Sequence, residues 1–273
     1  MQYIIENNSQ LHIFIPLSTN TMYRSLTLAA FVAYASAQSL SSGCVSAIAG
    51  IAGNSDAACL NIGALVPLFT ADANTSIVAP INNWVTGICS SAPCSNDTIA
   101  AVVKSVTDGC STDLSAFGFN SGLTGSITTL IQQYYPTARK VACLKDGNDN
   151  CITKSLTDLQ SVLGPLTLSS LMTINTENLP GNMTCTDCTK AAYNVIKTDV
   201  PSLVSDAAPS LQSQCGASFT DGNTPSDITQ SASDLSSSSN STKPSAGARN
   251  YGAIAGLGVA GAVVASTVFT LLA

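Results

Sequence analysis

The sequence predicts an all-α, disulfide-rich domain of short helices, carried on a disordered serine-rich stalk. Three observations predict it. Ten cysteines crowd the middle of the 273-residue chain and avoid both terminal segments. Between them, apolar residues recur at the three-to-four spacing of helices, while strict alternation over a strand length is scarce. After about Gly216 the composition collapses to Ser, Thr, Asp, Asn, Gly and Pro, too poor in apolar surface to offset the entropy of folding.

Residues 1–21 form an upstream segment, with Met22 as a second candidate start. Met22-Tyr23-Arg24 supplies a short basic region and Leu26 to Ala35 an apolar run of about ten residues. Ala35-Ser36-Ala37 then has the A-x-A form of a cleavage signal, so residues 22–37 read as a signal peptide cut after Ala37. The predicted ectodomain is 38–215. In it, Ser95-Asn96-Asp97 is an N-cap with an acidic first turn, leading into Thr98 to Val106 and closed by Gly109. Ser126 to Tyr135 sets Ile127, Leu130, Ile131 and Tyr134 at helical spacing and should stop at Pro136. Thr153 to Leu163 places Leu156, Leu159, Val162 and Leu163 on one face and ends at Gly164-Pro165. Thr189 to Val200 carries Ala192, Tyr193, Val195 and Ile196. Residues 216–250 read as a glycosylated stalk. Residues 251–273 are apolar and uncharged, about long enough to span a bilayer, with no basic residue after them. Small residues, a polar spacer and an apolar tail are the pattern of a glycosylphosphatidylinositol (GPI) attachment signal. Asn240 is the expected attachment residue and Ser245 the alternative.

Cys44, Cys59, Cys89, Cys94, Cys110, Cys143, Cys151, Cys185, Cys188 and Cys215 are expected to pair in a disulfide framework whose connectivity spacing does not assign. Their order hints at a duplicated five-cysteine unit. Cys44, Cys59, Cys89/Cys94 and Cys110 match Cys143, Cys151, Cys185/Cys188 and Cys215. Five per half forces at least one bond between the halves, which makes a single cooperative domain of them.

Several chemistries are excluded. The sole histidine, His12, lies upstream of the cleavage site, which removes serine or cysteine triads, imidazole general bases and common catalytic zinc sites. The one glutamate left after that cut is Glu177, so a Glu/Glu glycosidase pair is impossible. Asp146 and Asp149 sit in a Lys-Asp-Gly-Asn-Asp-Asn stretch that reads as a turn and lacks the calcium-loop order. Cys185-Thr186-Asp187-Cys188 reads as two structural half-cystines rather than a redox pair, and Tyr193/Lys197 as an i,i+4 helix pair. Trp84 is a predicted core anchor. No metal and no cofactor are expected. A net charge of −6 without a basic cluster argues against nucleic acid. Asn74, Asn96 and Asn182 are predicted N-glycosylation sites.

The stretches NNWVTGICSSAPCSNDTIAAVV and CTDCTKAAYNVI, with the serine-rich stalk, resemble the cysteine-rich GPI-anchored surface proteins of fungi. That resemblance implies a compartment and no biochemical activity. The fungal eight-cysteine haem-binding module fits poorly, since its C-x-C element is missing. The expected role is therefore non-enzymatic, structural or interactive, at the outer face of the plasma membrane or in the cell wall. Expected partners are the membrane through the lipid anchor, wall polysaccharide and neighbouring surface proteins. Alternatives are a binder of a small apolar ligand such as a lipid, and an Asp-dependent enzyme of wall polysaccharide.

Overall fold

A computed structural model describes residues 40–70, 72, 74–115, 118–171 and 181–233. The signal peptide, the Ala37 cut, Glu177, Asn240, Ser245 and the apolar tail lie outside the described residues.

The described chain is helical, as its periodicity predicts, and five disulfides tie it. Helix α1 is Ser42–Ala52, capped by the Ser41 hydroxyl accepting from the Cys44 amide. Short 3-10 helices at Ser55–Leu60 and Ile62–Leu65 lead to α2, Val78–Ser90. Helix α3 is Asn96–Gly109, and Ser95 caps it by accepting from the Thr98 amide, as predicted. Then come α4, Thr124–Ala142, and α5, Cys151–Leu163. Helix α6 is Asp187–Asp199 and α7 is Ala208–Cys215.

Helices α1 and α3 cross where their glycines meet. A Cβ on Gly109 would stand 2.3 Å from that of Ala47, and one on Gly43 2.9 Å from the Gly109 carbonyl. Side chains there would push the helices apart. Trp84 of α2 is 5 % exposed, and its indole N–H donates to the Leu60 carbonyl at 2.9 Å. It anchors an apolar cluster with Ile81, Val85, Ile88, Leu156, Leu159 and Leu166. A second cluster gathers Tyr193 and Ile196 of α6, Val204, Leu211 of α7, Phe219 and Ile228.

Three expectations need correction. Helix α4 does not stop at Pro136 but runs through it to Ala142. Pro136 is exposed, while Thr137, Arg139, Val141 and Ala142 beyond it are buried, so tertiary contacts outweigh the missing N–H. On α5, Leu156 and Leu159 are buried, yet Val162 is 60 % and Leu163 51 % exposed, because the core stops a turn before the helix does. The stalk boundary at 215/216 is also too early. Residues 216–233 form a strap: a turn at Ala217–Thr220, then strand β3, Ile228–Gln230, with Phe219, Ile228 and Ala232 buried.

Strand β3 pairs antiparallel with β1, Leu144–Asp146, which pairs in turn with β2, Asp149–Asn150. The predicted Lys-Asp-Gly-Asn-Asp-Asn turn is thus a tight hairpin. Gly147 takes φ 58° there, as its first central position requires. This small sheet among helices has no counterpart in the periodicity.

Cys89–Cys143 is the bond that joins the two cysteine halves. Of the other four, Cys59–Cys94 and Cys151–Cys188 fall at matching places of the duplicated order. Cys44–Cys110 and Cys185–Cys215 do not correspond. The matched segments also fold differently, short turns at 55–65 against a continuous helix in α5.

Candidate functional site

All ten cysteines are paired and none is free. Cys185 and Cys188 are not joined to each other: Cys185 pairs with Cys215 and Cys188 with Cys151, as expected of structural half-cystines. Among the described residues no group of three or more acidic, histidine or cysteine side chains is placed to hold a metal.

Packing seals the five bonds unequally. Both halves of Cys44–Cys110, Cys89–Cys143 and Cys151–Cys188 are at most 5 % exposed. Cys59 of Cys59–Cys94 is half-buried, as are both Cys185 and Cys215. Cys59 and Cys94 also line a surface recess of about 440 Å³ with Ser55, Asp56, Ser91, Pro93, Ser95 and Thr98. The lining mixes small polar and small apolar side chains, Ala58 and Ala92 among them, and the recess is open to water, so it does not enclose a lipid chain.

The hairpin sets Asp146 and Asp149 opposite each other, with Asp146 half-buried and Asp149 exposed. Tyr193 is 1 % exposed, and burial pushes its phenol above the usual range. The Lys197 ammonium sits 5.8 Å from its ring centroid and donates to the Thr220 carbonyl at 2.8 Å. That pair therefore braces the strap. Asn194 donates to the Asn223 carbonyl, and Lys190 pairs with Asp221 at 3.1 Å. The Asp221 carboxyl lies below its ordinary value, chiefly because it accepts the Asn223 backbone N–H and then because Lys190 is beside it. Lys190, Asn194 and Lys197, three to four residues apart on α6, thus hold the strap segment 220–223.

Sequence reasoning missed Arg139. It is 3 % exposed and meets no carboxylate among the described residues. Its guanidinium donates to the carbonyls of Ser233 at 3.2 Å, Ile88 at 3.1 Å and Ser91. The cation thus satisfies carbonyls at the end of α2 and holds the last described residue of the strap. Ser233 is fixed further: its amide and hydroxyl reach the Cys89 carbonyl at 2.9 and 3.0 Å. The available signal was that Arg139 is the sole arginine of the predicted ectodomain.

Asn74, Asn96 and Asn182 are all exposed. The hydroxyl that completes each sequon is held by a neighbouring group: Ser76 donates to Gln160, Thr98 bonds Ser95 at the exposed start of α3, and Thr184 donates to the Gly181 carbonyl. Each asparagine can therefore carry a glycan without disturbing packing. Among the described residues no helix is long and apolar enough to cross a membrane. No family model matches the chain, and no curated protein or solved structure does so either.

Proposed function

We propose that the chain is a GPI-anchored surface glycoprotein of the fungal type, with a non-enzymatic structural or interaction role at the plasma membrane and cell wall. The observation that carries this reading is the complete pairing of ten cysteines in the head, a state proper to oxidising, extracytoplasmic compartments. Three exposed sequons agree with passage through a secretory pathway. So does the order of segments: an A-x-A signal before the head, then a serine-rich stretch with small residues at Asn240-Ser241-Thr242, a polar spacer and an apolar tail. The aspartates of the hairpin, Asp146 and Asp149, flank its tight turn as paired strand residues with Asp149 exposed, which favours a surface module over an Asp-dependent enzyme.

Phosphatidylinositol-specific phospholipase C, applied to intact fungal cells expressing the full chain, tests the anchor. The expected outcome is release of the protein into the medium, with a C-terminal peptide ending at Asn240 and no tail peptide. Retention in the membrane fraction with residues 252–273 present overturns it.

A further inference from the structure

The five disulfides fall into two groups that differ in what covers them. Three are sealed by protein: Cys44–Cys110, Cys89–Cys143 and Cys151–Cys188 have neither half above 5 % exposure. Two reach the surface. Cys59–Cys94 lies on the wall of the recess of about 440 Å³, and Cys185–Cys215 has both halves half-buried. A thiolate must reach a sulfur to attack it, so exchange falls on these two.

Each of the two has an exposed sequon beside it. Asn96 follows Cys94 by two residues, and its neighbours Ser95 and Thr98 line the same recess as half-buried Cys59 and Cys94, which is 8 % exposed. Asn182 precedes Cys185 by three residues, on the single helical turn Gly181–Thr184. That turn stands against the disulfide: the Thr184 hydroxyl is 3.7 Å from the Cys185 sulfur, and a Cβ on Gly181 would be 4.0 Å from it. The third sequon, Asn74, has no cysteine within ten residues in sequence. A glycan is bulky and hydrated, and it covers the surface beside its asparagine without entering the core.

We propose that N-glycans on Asn96 and Asn182 shield the two surface disulfides from thiol exchange, completing outside the head the protection that packing gives the other three. This rests on the glycoprotein reading above. The reaction prevented is attack of an external thiolate, such as glutathione, on one sulfur of the pair. A mixed disulfide forms there, the S–S bond breaks, and the other cysteine leaves as a thiolate. Contacts other than the S–S link hold the chain around Cys215: Leu211 and Phe219 are buried in the second cluster, and Gln214 donates to the Thr184 hydroxyl. Exchange would therefore decorate or crosslink a folded head.

The test uses the folded glycoprotein secreted from a fungal host. Its N-glycans are removed by peptide-N-glycosidase under native conditions, or singly by Asn74→Gln, Asn96→Gln and Asn182→Gln. Reduced glutathione is added, thiols are trapped with a maleimide, and adducts are mapped by mass spectrometry. Adduct formation should accelerate roughly tenfold or more at Cys59/Cys94 without the Asn96 glycan, and at Cys185/Cys215 without the Asn182 glycan. The six sealed cysteines should not respond, nor should any cysteine respond to Asn74→Gln. Equal rates with and without glycan at fully occupied sites overturn the shielding and leave the surface-glycoprotein reading intact. Empty Asn96 and Asn182 on the secreted protein overturn the proposal at its premise, whereas phospholipase release tests the anchor separately. Enzymatic removal after folding keeps the test valid if a glutamine variant fails to fold.

Discussion

Arg139 illustrates how much one side chain can hold when its partners are carbonyls instead of a carboxylate. A buried guanidinium needs donors satisfied in several directions, and its planar fork supplies them to Ile88, Ser91 and Ser233 together. Asn150 does similar work with a neutral amide. Its oxygen accepts from the amides of Ile152 and Thr153, and its nitrogen donates to the carbonyls of Ala142 and Leu144. Arg139→Ala leaves buried carbonyls without donors and opens a gap beneath Ser233. We expect a loss of about 3 kcal/mol, read from the midpoint of denaturant unfolding with disulfides intact. Arg139→Lys should recover less than half, since a single ammonium on a flexible stem cannot span carbonyls from two segments. Full recovery by lysine would show that charge alone matters there. None of this was legible beforehand. An arginine between Ala138 and Lys140 looks like any surface cation until the fold brings the end of α2 and the strap against it.

At the scale of elements, helices announced by a cap and a periodic face were legible. Ser95 before α3 and Asn150 before α5 are both side-chain caps in the structure, although only the first was read from sequence. What the sequence hid were segments whose apolar residues are few and widely spaced. Phe219, Ile228 and Ala232 are the buried points of the strap, scattered among Ser, Thr, Asp and Gly, and a three-residue strand is too short to alternate visibly. Composition alone therefore assigned the strap to the stalk. Pro136 misled in the opposite direction. A proline at that place has no N–H for the carbonyl of Gln132, but the following turn is fixed by buried Arg139 and Val141 and by Cys143. Pro136→Ala should restore that hydrogen bond in an exposed helix. A stabilisation of about 1–2 kcal/mol is expected, after part of the gain is lost to a freer unfolded chain. Calorimetry should show a raised Tm; an unchanged or lowered one would mean that α4 needs its proline to meet α3 and α6.

The whole molecule is a head pinned at both ends by polar contacts, while apolar clusters and Cys89–Cys143 hold its middle. At the N-terminal end, the Asp113 carboxylate accepts the Ser41 amide at 3.0 Å and hydroxyl at 2.6 Å, and Ser41 caps α1. Those two bonds from Ser41, the hydroxyl first, hold the Asp113 carboxyl below its ordinary 3.8. At the other end Asp221, likewise lowered, is bound by Asn223 and Lys190 and secures the strap. In both cases the folded state favours the ionised form. Each contact therefore stabilises the head fully above the unfolded value of 3.8 and is lost as pH falls below it through the lower folded value. Acid should loosen the two ends of the head before α2, which carries no carboxylate of its own. Hydrogen exchange, corrected for intrinsic rates, should show protection falling below about pH 4 at the start of α1 and along 217–223, with α2 unchanged. Asp113→Asn should weaken α1 at neutral pH and remove its acid response, and Asp221→Asn should do the same for the strap alone. Uniform loss across the head, or a response in α1 that survives Asp113→Asn, would place the acid sensitivity elsewhere.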